Sequence, residues 1–87
     1  MNPYSYLDLI PRIEQCRTRV ISWRDPKSKK DLTLLMNNVT RYHSKVMYDL
    51  IHCAKKGKIT AREQDYLDNL TELVVTLEHQ LTIASLL

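Results

Sequence analysis

Apolar residues return every third or fourth position along most of this chain, which is the period of an α-helix with one buried face. The pattern is cleanest near the C-terminus. There Leu67, Leu70, Val74, Leu77, Leu81 and Ala84 alternate spacings of three and four, the seam that keeps one helical face on a partner. Thr60-Ala-Arg-Glu63 stands just upstream and reads as a capping box, so the spacing predicts a helix over about 60–86. A second stripe runs through Leu32, Leu35, Val39, Tyr42, Val46, Leu50 and Cys53 and predicts a helix over about 28–56. Ser28, three residues before Asp31, resembles its start. Gly57 follows Lys55 and Lys56, where a C-terminal helix cap belongs.

The first helix is harder to bound. Ile10, Ile13, Cys16, Val20 and Trp23 share a face, which predicts a helix over about 9–24 ended by Asp25-Pro26. Pro11 inside a helix removes a hydrogen bond and clashes with the carbonyl of Leu7. Asn2-Pro3 looks like a helix start of its own. The expectation is therefore a short N-terminal helical turn, a break near 7–11, and a fresh helix capped by Asp8.

Short connections make sequential helices antiparallel neighbours. The predicted fold is all-α: a single domain over 1–87, built as an elongated antiparallel three-helix bundle. One glycine in 87 residues agrees with long helices and with few turns that need positive φ.

Composition then narrows the function. No apolar run is long enough for a membrane span, and no basic region followed by an apolar stretch opens the chain, so a cytoplasmic protein without a signal peptide is expected. Cys16 and Cys53 fall on predicted apolar faces and are expected to be free thiols. His43, His52 and His79 are nine and twenty-seven residues apart, and helical metal sites want ligands three or four apart. A lone glycine cannot build a phosphate-cradling loop. The sequence thus predicts no metal, no cofactor, no small-molecule substrate and no enzyme. Arg12, Arg17, Arg19 and Arg41 are the residues around which a helical active site would have to form. His43, on the apolar stripe, is expected to bond across the bundle.

Charge is divided along the chain. Residues 1–62 hold all thirteen cations against five anions, a net +8, while residues 63–87 hold Glu63, Asp65, Asp68, Glu72 and Glu78, a net −5. The bundle should gather Arg19, Arg24, Lys27, Lys29 and Lys30 at one pole and Lys55, Lys56, Lys58 and Arg62 at the other. Arg41, Lys45, Tyr48, His52 and Lys55 form a basic, aromatic face of the second helix, which could stack bases or grip an acidic protein.

The residues that a core cannot use carry the functional expectation. Val75, His79, Ile83 and Leu86 line up on the back of the third helix, about 140–180° from the seam at ~100° per residue. Either helix one or the N-terminal turn with Tyr4 and Tyr6 covers this strip, or another protein or a second copy does. The expected function is a small non-enzymatic helical protein that binds and regulates or inhibits another protein, of the size used by phages and mobile elements against host machinery. The alternative is a nucleic-acid-associated protein using the basic face of helix two.

Overall fold

The computed structural model describes residues 5–56 and 61–86. Three helices pack side by side: α1 (Ser5–Ile21), α2 (Pro26–Lys56) and α3 (Ala61–Leu86). The bundle is elongated, with extents of 46 × 19 × 18 Å. Gly57, Lys58 and Thr60 of the second connection, and the Asn2-Pro3 turn with Tyr4, lie outside the described residues.

The α3 seam behaves as its spacing requires. Leu67, Leu70, Val74, Leu77 and Leu81 are all buried. They meet Leu32, Met36, Val39 and Val46 of α2 and Leu9, Ile13, Cys16 and Val20 of α1 in one contiguous core. Leu35, Tyr42 and Ala84 pack half-buried at its edge. Helix α2 has a broad apolar face because it has two neighbours: Leu35 and Tyr42 flank α3, while Met36 and His43 turn toward α1. Leu50 and Cys53 lie on α2, but their side chains fall outside the description.

Helix α1 corrects the expected break. It runs without interruption from Ser5 through Pro11 to Ile21. Pro11 is exposed, and so is Leu7, so the carbonyl that loses its amide partner is on the solvated side. Leu9 and Ile13, on either side of Pro11, are 1% and 0% exposed. Burying both is worth about 1.5–3 kcal/mol per side chain, enough to carry the helix through one missing bond. The uninterrupted period puts Leu9, not Ile10, in the core; Ile10 is only half-buried.

Two further boundaries differ from expectation. Helix α1 stops at Ile21 rather than 24, with Trp23 N–H donating to the Val20 carbonyl at 3.2 Å. Helix α2 starts at Pro26 rather than 28, because the cap is Asp25 and not Ser28. Asp25 Oδ2 accepts from Ser28 N–H at 3.2 Å and from Ser28 Oγ at 2.7 Å. Pro26 then occupies the first helical position, where a missing N–H costs nothing. These bonds from Ser28 hold the Asp25 carboxyl below its ordinary range.

Candidate functional site

Polar contacts set how α1 lies on its neighbours. The Arg12 guanidinium donates from Nε and Nη2 to the two carboxylate oxygens of Glu78, at 2.9 and 2.5 Å. This two-point pairing lowers the Glu78 carboxyl below its ordinary value and raises Arg12. It also ties parallel helices together at a separation of 66 residues, so Arg19, two turns further along α1, stands level with Ser85 on α3. On the α2 side, Arg17 pairs with Glu14 and reaches Thr40 Oγ1 at 3.5 Å. Tyr6 meets His43 there as well, hydroxyl to Nε2, at 3.2 Å.

These contacts turn α1 away from the back of α3; Tyr4 lies outside the described residues. Tyr6 turns toward α2, and helix one leaves the strip open: Val75, His79, Ile83 and Leu86 are all exposed. Leu86 is 81% exposed and Val75 49%. The four do not all look the same way. Ile83 lines a shallow groove with Ser28, Asp31, Leu32 and Leu35 of α2, whereas Val75 and Leu86 flank the α1 side, on which Glu78 meets Arg12. Continuing the same spacing toward the N-terminus of α3 gives Glu72, Asp68 and Asp65, all exposed. The outer face of α3 is thus acidic in its first half and apolar in its second.

The basic pole forms around the α1–α2 connection. Arg19, Arg24, Lys27 and Lys30 are exposed there. Lys29 is half-buried and donates from Nζ to the Ile21 carbonyl at 3.1 Å, closing the end of α1. The first turn of α2 contains no acid and the last turn of α3 no cation. Because Ser28 and Ile83 share a groove, the cations of α2 stand beside the carbonyl end of α3, where the helix dipole favours them.

The basic, aromatic face of α2 is only partly available for a ligand. Arg41, Lys45 and Tyr48 are exposed. Lys45 Nζ sits 4.9 Å from the centre of the Tyr66 ring, a cation–π contact within the bundle. Tyr66 in turn meets Tyr42 in a tilted ring contact, centres 6.1 Å apart. His52 and Lys55 lie on α2 with side chains outside the description.

Among the described residues, no group of three or more His, Cys, Asp or Glu side chains could hold a metal ion, and no helix is long and apolar enough to cross a membrane. Cys16 is a free, buried thiol. Burial, followed by the charge of Glu78, pushes it up from its ordinary value and away from nucleophilic reactivity.

A groove of about 350 Å³ opens between α1 and α2, floored by Val20 and Met36 and walled by Thr33, Asn37 and Thr40. Thr33, Asn37 and Thr40 recur at helical spacing beside the α2 stripe, and that run of small polar residues is the signal that could have marked it. Comparisons with protein-family models, with curated proteins and with solved structures return no match.

Proposed function

We propose that this chain is a non-catalytic helical protein that binds another protein and regulates or inhibits it by covering part of its surface. The supporting observation is the second face of α3. Its inner seam is already buried, with Leu70, Val74, Leu77 and Leu81 at 0% exposure, yet Val75, Ile83 and Leu86 remain exposed on the outside. A helix with apolar residues on two faces generally has two neighbours. Cations around the Ile83–Leu86 end would orient an acidic partner, contributing more to association rate than to affinity.

The test is capture of partners by the wild-type protein and by a variant carrying Ile83→Glu and Leu86→Glu. Both positions are exposed, so the variant should keep its helical circular dichroism and lose the captured protein. An unfolded variant, or unchanged capture, contradicts the reading. Oligonucleotide binding that weakens steeply from low to moderate salt would instead assign the basic face of α2 to nucleic acid.

A further inference from the structure

The outer face of α3 has a sequence of charges that fits its own reverse. Read from the N-terminal end, it runs from acidic (Asp68, Glu72) to apolar (Val75, Ile83) and ends between cations of the pole. Arg19 stands level with Ser85 on the α1 flank, and the first turn of α2 lies on the other flank beside Ile83. Turning a second α3 antiparallel to the first, with His79 opposite its own counterpart, places Val75 level with Ile83 of the other copy. The same register brings Glu72 level with Leu86 of the other copy, next to its Arg19. Each contact occurs twice about the two-fold axis, the geometry of an isologous interface.

We infer that this face is an interface between two copies of the chain, paired antiparallel through α3. The inference rests on the reading of the outer α3 face as a docking surface and names its occupant. Charge complementarity favours the second copy: the outer face of α3 supplies the acids, and the cations of α1 and α2 bracket its apolar end. A partner of purely acidic or purely basic surface would meet only half of this pattern. One helix pair of this length buries on the order of 1,000 Å², the lower end of specific interfaces, so the dimer should be weak, with a Kd in the range of ~10–100 μM.

Sedimentation equilibrium across that concentration range is the direct measurement. Wild-type protein should shift from monomer to dimer, with Kd rising roughly tenfold or more between low and high salt. Glu72→Arg and Arg19→Glu should each raise Kd by about tenfold, and the two together should return it to within a few-fold of wild type. Arg19, Glu72 and Val75 are all exposed, and circular dichroism checks that each variant is folded. Val75→Glu should leave a folded monomer. A monomer at all concentrations, or a charge reversal that fails to rescue, overturns the pairing. Neither result touches the docking reading itself, which fails if the Ile83→Glu, Leu86→Glu variant unfolds or leaves partner capture unchanged.

Discussion

Tyr6 and His43 meet across the α1–α2 interface, hydroxyl to Nε2 at 3.2 Å, with ring centres 5.7 Å apart. With the imidazole neutral and protonated on Nδ1, the tyrosine hydroxyl donates to Nε2. The contact closes the N-terminal end of α1 against α2, as Lys29 closes its C-terminal end. The surroundings disfavour charging the ring: burial first, then Arg17, push the His43 pKa below the ordinary 6.5, with Glu14 acting the other way.

Stability should therefore fall as pH drops below about 6.5. In that range the unfolded chain binds a proton at this position that the folded chain resists, so unfolding takes up protons and is favoured by acid. His43→Gln keeps an acceptor for Tyr6 and removes the titration. Denaturant midpoints from pH 7.5 to 5 should fall less in this variant than in wild type, and the difference isolates His43 from the other histidines. Glu78 acts lower: its depressed carboxyl contributes stability above its ordinary 4.5 that is lost as pH falls further.

The Arg12–Glu78 pair should couple weakly despite its geometry. The two side chains are 38% and 34% exposed, and water screens pairs of that kind to about 0.5 kcal/mol. A double-mutant cycle with Arg12→Ala and Glu78→Ala should give a coupling of ~1 kcal/mol or less, declining with added salt. A coupling of several kcal/mol would mean that the pair fixes the fold rather than the rotation of α1 on α3.

Pro11→Ala should stabilise the protein. The helix is continuous through this exposed position, so alanine restores the missing bond to the Leu7 carbonyl. The gain is offset by the greater freedom of the unfolded chain, leaving a net ~1–2 kcal/mol. Thermal unfolding reads the effect directly, and a lower midpoint would show that Pro11 is needed where it stands.

Leu77→Ala tests the centre of the seam. Leu77 is fully buried in the core that the three helices share, and its truncation should cost about 2–5 kcal/mol. For a domain of this size that is a large share of the total, which runs from ~5 kcal/mol upward. Urea denaturation should show a lower midpoint with a nearly unchanged slope.

These residues also show where reading the sequence works. The α3 seam was legible because its 3–4 spacing has no interruption and its helix has a clear opening signal. The break expected at Pro11 was not found, since a local rule about proline says nothing of the core residues at Leu9 and Ile13 that hold the turn in place. Asp25 and Ser28 are equally good caps by residue type, and only the bonds from Ser28 back to Asp25 decide between them. The outward direction of Val75, Ile83 and Leu86 followed from helical phase alone. What phase cannot supply is the rotation of α1 about α3, so Arg12–Glu78 and Tyr6–His43, joining residues 66 and 37 apart, were beyond reach.

That separation also orders the assembly of the molecule. Helices α2 and α3 are joined by a few residues, and closing so short a loop costs little entropy, so their hairpin can form on its own seam before anything else is in place. The contact between α1 and α3 requires the chain to return across the full length of that hairpin. Residues 22–25 join α1 to α2 just as closely, so that pair can form as early. The α1–α3 contact closes a far longer stretch of chain, and there Arg12 and Glu78 fix the angle at which the two helices meet.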